Sequence, residues 1–348
     1  MNPYQFLSPR SFWRSAVAQQ TVQGMSELWQ PQFDIERDDA IVTAGSCFAQ
    51  HIGRALVERG MNWIDSEPAP IGLSEAECKA RHYGVFSFRT GNLYTPAMLR
   101  QWLEWCLGRQ DMPEEVWSRD GRYFDPMRPM VEPDGYPSRQ ALLEARQVTR
   151  QAMKAALVRA RVFVFTLGLT EAWVNRRTGL VYPVCPGTLQ GTFDPDAHAL
   201  RNFGFVDSHR EMSMAVELLR SVNPRIRVLL TVSPVPLTAT ATGQHVLTAT
   251  TYSKSVLRAV AGQLCEEQRE IDYFPSYEII TGTPFKAAFY QANQREVTTE
   301  GVAFVMRQFF TALEGKPETV VAPEQPIVHL PSEDLVCEDA VLDYYARP

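Results

Sequence analysis

The chain has few histidines, no paired cysteines and no surplus of positive charge, and each shortage removes a class of function. Its six cysteines, at positions 47, 78, 106, 185, 265 and 337, form no C-x-x-C pair, so neither a zinc site nor a disulfide framework is indicated. The 34 basic side chains are outnumbered by 40 acidic ones, whereas a nucleic-acid binder normally carries a basic surplus. No apolar run approaches the roughly 20 residues of a membrane span. The opening MNPYQFLSPRSFWRSAVAQQ lacks the apolar core of a secretory signal. There is no Gly-rich phosphate loop, no H-E-x-x-H and no EF-hand loop, so no metal or other cofactor is expected. What remains is the composition of a folded protein, 45% hydrophobic and 21% charged over 348 residues. The expectation is a soluble, cytoplasmic chain with no transmembrane segment and no nucleic-acid partner, its oligomeric state left open.

Five short apolar runs carry the strand signal: Ile41 to Ala44, Met61 to Ile64, Arg161 to Leu167, Ile226 to Val232 and Ile271 to Phe274. Near-continuous apolar runs of this length predict strands buried on both faces, hence a parallel sheet covered by helices. Helical patterns fall between them. Phe48, Ile52 and Leu56 share one face before Gly60, and Ser138 to Ala160 opens on an N-cap serine. Ser208 to Val222, Thr250 to Gln268 and Thr298 to Leu313 follow. Alternating strands and helices predict a single three-layer α/β/α domain over residues 1–315. Insertions are expected near 66–137, with one short helix at Met98 to Cys106, and near 174–207, a polar excursion. Residues 316–348 read as an acidic, Pro-rich tail.

In an open parallel sheet, ligands bind beyond the carboxyl ends of the strands. The first strand ends at Gly45-Ser46-Cys47, where a helix begins. There Ser46 is either a helix cap or a hydroxyl placed where free N–H groups favour developing negative charge. Cys47 is expected to face the core, with an activated thiol as the alternative. The third apolar run leads into Gly168-Leu169-Thr170-Glu171, whose carboxylate either binds substrate or caps the next helix. The fourth ends in Ser233-Pro234-Val235-Pro236, and its loop carries His245.

Histidine suits the removal of a serine proton near neutral pH, and only six are present. His329 and His198 read as solvated, His209 as a helix-opening residue, and His82 has no evident partner. His51 lies one turn beyond Ser46 and is expected to point away from it. His245 alone falls at a strand's carboxyl end.

Gly45-Ser46-Cys47-Phe48-Ala49 is the pentapeptide that names the GSCFA family, itself related to the SGNH/GDSL hydrolases. The chain also resembles the family in Gly91-Asn92-Leu93-Tyr94-Thr95, Phe124-Asp125-Pro126-Met127-Arg128-Pro129 and Thr166 to Trp173. Thr231 to Leu237, Tyr252-Ser253-Lys254-Ser255 and Tyr273 to Glu278 extend the match over most of the chain. The resemblance implies a flavodoxin-like sheet and ester or acyl-transfer chemistry on carbohydrate or lipid substrates. It makes Ser46 the nucleophile and Gly91 the second-block oxyanion donor. The third block aligns with Gly168 to Glu171, with Thr170 in place of the usual asparagine. The fifth block, ordinarily Asp-x-x-His, reads Gln291 to Thr298 here and holds no histidine.

The reading that follows is an SGNH-like esterase or acyltransferase acting on an acylated glycan or lipid-linked small molecule. Ser46 is its nucleophile, His245 its base, and Glu171 orients His245 or meets the substrate. Gly91, Asn92, Gly168 and Thr170 line the oxyanion and substrate site, the N–H groups of Ser46 and Gly91 included. The alternative is a non-catalytic carbohydrate- or metabolite-binding module that keeps the pocket without the histidine; a third option is a cysteine enzyme built on Cys47.

Overall fold

The computed structural model of the chain describes residues 2–315 together with Val336, Glu338, Val341, Leu342 and Tyr344. Its elements run β1 (Ile41–Gly45), α1 (Ala49–Glu58), α2 (Glu75–Ala80), α3 (Pro96–Cys106), β2 (Trp117–Arg119), β3 (Arg122–Phe124) and α4 (Arg139–Arg159). They continue with β4 (Val162–Leu167), β5 (Glu171–Asn175), β6 (Val181–Tyr182), β7 (His198–Asn202), α5 (Phe205–Val222) and β8 (Arg227–Val232). The last are α6 (Val246–Glu267), β9 (Ile271–Tyr273), α7 (Ser276–Thr281) and α8 (Thr299–Glu314).

Four of these strands form a parallel sheet in the order β1-β4-β8-β9. The run Met61 to Ile64, expected as a further strand, reduces to a single parallel bridge from Trp63 to Ile41 on the outer side of β1. The chain leaves α1 through Gly60 and turns away into the 66–137 insertion after that one pairing. Counting the bridge, the strand order is the flavodoxin-like 2-1-3-4-5, whose switch point lies between the first and third positions. Here that is the cleft between β1 and β4.

Side chains alternate across the sheet, as the two-residue period of a strand requires. Val42, Phe163, Phe165, Val228 and Leu230 enter one core, and Ile41, Val162, Val164 and Leu229 enter the other. α3 to α6 cover the first face, while α1, α7, α8 and the N-terminal arm with Met25, Trp29 and Phe33 cover the second. Ser138 caps α4 and Thr298 caps α8, each accepting a bond from the third residue beyond it. Among the described residues no helix is long and apolar enough to cross a membrane.

Both insertions are more ordered than their composition suggested. The first holds α2, closed by a Ser74–Glu77 capping box, as well as α3 and the β2–β3 hairpin. The second is an antiparallel sheet in the order β6-β5-β7, not an irregular excursion. Glu171 opens β5 opposite Asn202, so it caps no helix. Of the tail beyond 315, five residues are described, and His329 lies outside them.

Candidate active site

Three chain segments meet at the switch point. Gly45 closes β1 at φ +129°, and a Cβ there would stand 2.4 Å from the Thr166 carbonyl oxygen. Only glycine lets the chain turn off the sheet so close to β4. The Ser46 N–H then donates to the Thr166 carbonyl at 3.0 Å, and the Gly45 carbonyl accepts from Leu93 N–H at 2.8 Å. The Tyr94 carbonyl accepts from both Gly168 and Leu169 N–H at 2.9 Å, which ties the Gly91–Thr95 segment to the exit of β4. At Gly168 a Cβ would come within 2.9 Å of the Ser46 Cβ, so the glycine makes room for the serine.

Helix α6 backs this arrangement. Ser253 Oγ accepts from Thr170 N–H at 3.0 Å, and Lys254 Nζ donates to the Gly168 carbonyl at 2.8 Å. Lys254 is buried and borders the small cleft at Ser46 together with Cys47, Tyr94, Ser233 and Val235. The space left in that cleft is about 10 Å³, room for about one water.

The Ser46 hydroxyl is the unusual group. It is 2% exposed and has no hydrogen-bond partner among the described residues. Nor does it cap α1, whose N-cap position is Phe48 with no side-chain bond. Thr166 Oγ1, Thr170 Oγ1 and Asn92 Oδ1 are buried and unpartnered in the same way. A buried polar atom left unmade costs on the order of 1–3 kcal/mol, and here four gather around one strand end.

Beside the cleft, and sharing Leu169 with it, lies a cavity of about 300 Å³. Its wall is mainly apolar, with Trp173, Val184, Leu200, Leu237 and Leu342. Glu171 stands in this wall, not at Ser46; burial pushes its carboxyl above the ordinary range despite a 2.8 Å bond from Thr240 Oγ1.

His245 is not brought to Ser46. It is the N-cap of α6, its Nδ1 accepting from Leu247 N–H at 3.2 Å, and its side chain is exposed. The helix starts four residues earlier than the Thr250 expected from its apolar stripe, which turns the histidine into a cap. His51 and His82 are no nearer in role. Burial, reinforced by Arg54, holds His51 down at about 3, and burial, reinforced by Arg89, holds His82 at about 4. His198 is buried and accepts from Asp194 N–H rather than being solvated. His209 sits within α5 against Glu267. Cys47 joins the core with Phe48 and Ile52 while bordering the cleft. The Ser46 N–H, expected to serve an oxyanion, is engaged by Thr166.

Two residues given no role from the sequence occupy the site. Lys254 lies in the quoted Tyr252–Ser255 segment, which was the one available signal. Glu338 comes from the far end of the chain and is 1% exposed. Its carboxylate accepts from Tyr94 OH at 2.7 Å, from Asn92 N–H at 3.4 Å and from Asn92 Nδ2. Burial pushes its carboxyl above the ordinary range, although the Tyr94 and Asn92 bonds work against that shift. Gly91 adjoins the same group: a Cβ there would lie 3.2 Å from Glu338 Oε1.

The family model of the GSCFA family matches residues 40–309, so the chain belongs to that family. No curated protein matches it.

Proposed function

From membership of the GSCFA family and the geometry at the end of β1, we propose that the chain is an SGNH-like serine esterase or acyltransferase. Its substrate is an acyl ester of a glycan or of a lipid-linked small molecule. The observation that carries this reading is the Ser46 hydroxyl, buried at the switch point of the sheet and without a hydrogen-bond partner among the described residues. Helix α1 starts three residues beyond it, placing the hydroxyl near the positive end of the helix dipole.

In this reaction Ser46 Oγ attacks the acyl carbonyl and the carbonyl π bond opens to an oxyanion. The C–O bond to the alcohol then breaks, leaving an acyl-serine, and water or an acceptor hydroxyl completes the cycle. With the Ser46 N–H engaged, the oxyanion donors are the Gly91 N–H, Asn92 and the Thr170 hydroxyl. Lys254 is the base the geometry favours over His245, because it borders the Ser46 cleft and as a neutral amine could take the serine proton. Serine–lysine pairs are an established variant of the serine–histidine arrangement. The apolar cavity joined through Leu169 suits the acyl chain, and its size lies at the small end of ligand pockets.

The binding-module reading is favoured by one observation, that among the described residues no histidine borders the cleft. Turnover of p-nitrophenyl esters of increasing chain length separates the two. The esterase reading expects activity in the unaltered chain, none after Ser46→Ala, and a loss of about 10²–10⁴-fold after Lys254→Met, with His245→Ala nearly unaffected. A chain inert to esters and acyl donors that still binds glycans after Ser46→Ala would establish the binding module instead.

A further inference from the structure

Asn92 is expected to stabilise the oxyanion, yet its donors are already occupied by the chain's own C-terminal residues. Nδ2 donates to the Val336 carbonyl at 3.0 Å and to Glu338 Oε2, and the Asn92 N–H is directed at Glu338 Oε1 at 3.4 Å. The Tyr94 hydroxyl closes the seat, donating to Glu338 Oε2 at 2.7 Å and accepting from Glu338 N–H at 3.1 Å. Gln50, in the first turn of α1, holds Val336 from the other side. Its Nε2 donates to the Val336 carbonyl at 2.8 Å and its Oε1 accepts from Val336 N–H at 3.2 Å.

A few residues later Leu342 forms part of the wall of the 300 Å³ apolar cavity. Glu338 therefore presents a pair of carboxyl oxygens to the polar seat, and Leu342 an aliphatic group to the adjoining cavity. A carboxylate with an aliphatic chain would offer the same two features in the same order. The C-terminal contacts meet the Ser46 cleft through Tyr94, which borders that cleft and bonds Glu338.

We propose that the C-terminal residues are a resident ligand of this site, competing with an acyl substrate for the Asn92–Tyr94 seat and the apolar cavity. The ligand class is an aliphatic carboxylate or the acyl ester that yields one. The proposal rests on the esterase reading for its consequence on activity, but the seat itself is testable by binding alone.

The full chain is compared with Glu338→Ala and Glu338→Gln, using octanoate as the probe and calorimetry to measure its affinity. Labelling of Ser46 by a fluorophosphonate, located by peptide mass, is followed in parallel. Octanoate is expected to bind the Ala variant at least about tenfold more tightly than the unaltered chain, with the Gln variant between them. Ser46 labelling should accelerate in the same order, and Ser46→Ala combined with Glu338→Ala should keep the octanoate affinity. Equal octanoate affinity in all three chains, each with an unchanged circular-dichroism spectrum, overturns the proposal and makes Glu338 a mere anchor. Should the Ala variant unfold, the Gln variant alone decides: no gain in octanoate affinity overturns the proposal. Ser46 unreactive in every chain, with octanoate binding still released by the variants, refutes the esterase reading and leaves the seat standing.

Discussion

Two clusters of buried polar groups lie a short segment apart, and they are treated in opposite ways. Around Asp125 almost every group is paired. Its carboxylate accepts from Arg128 Nε at 2.8 Å, from Arg146 Nε at 3.1 Å and Nη2 at 2.8 Å, and from Met127 N–H at 3.0 Å. Burial alone would raise the carboxyl, but the Arg146 and Arg128 guanidiniums bring it below its ordinary range. Around Ser46, four buried oxygens have no partner among the described residues. The paired cluster holds the unpaired one: Arg128 Nη1 donates to the Arg89 carbonyl at 3.1 Å, immediately before the Thr90–Thr95 segment that reaches Ser46. Arg128 Nη2 and the nearby Tyr136 hydroxyl are the exceptions, without a partner among the described residues. Buried charge that is paired ties the segments together here, while on the proposed reading the buried hydroxyls without partners are those that meet a ligand.

Substitutions should divide along the same line. The largest effect is expected at Asp125→Ala, which leaves two buried guanidiniums without their counter-charge. Breaking such a pair costs about 3–5 kcal/mol, and urea unfolding should show that loss as a lower midpoint. A loss below about 1 kcal/mol would erase the contrast between the clusters.

Acid should reveal a second, intermediate effect. The folded chain keeps His51 and His82 neutral at about 3 and about 4, against 6.5 for the ordinary group. The unfolded chain takes up those protons first, so stability falls as pH drops from about 6.5 towards 4 and then 3. Asp125 is lowered as well, but from the ordinary carboxylate range, so its contribution persists down to that range and is lost as pH falls from there through its own lowered value. His82→Asn should roughly halve the histidine contribution to the slope in the first window, His51 supplying the rest, and asparagine tolerates the φ of 59° found there. An unchanged acid slope would show that His82 is protonated when folded.

The smallest effect is expected at Thr166→Val, where an unpartnered hydroxyl gives way to a methyl of similar shape. Stability should be unchanged or rise by about 1 kcal/mol. A marked loss would mean that the Thr166 hydroxyl has a partner after all.

Much of this arrangement could be read from the chain itself, for reasons that are local. Continuous apolar runs marked β4 and β8, serine and threonine caps marked the starts of α4 and α8, and a glycine before a serine marked the switch point. The misreadings arise where distant contacts decide. Residues 174–207 look like a polar loop because β5 and β7 are short and partly exposed and β6 is only two residues long, and their antiparallel pairing replaces a hydrophobic signal. The capping role of His245 is not legible because α6 begins with Val246, Leu247 and Thr248, which add no regular stripe. Lys254, alone on an otherwise apolar helix face, gives no local sign that it is buried. Glu338 is separated from Asn92 by 246 residues, and no periodicity connects positions that far apart.

A Ser46 hydroxyl held for chemistry contributes nothing to the fold. The most direct measurement treats the full chain and its Ser46→Ala variant with a fluorophosphonate, reads the modified peptide by mass, and measures both unfolding free energies in urea. The account expects one adduct, on Ser46, abolished by the substitution, with the variant as stable as the parent or more so. A parent chain that never labels at Ser46, together with a variant weakened by 2 kcal/mol or more, about the cost of a lost structural hydrogen bond with its partner stranded, would contradict it.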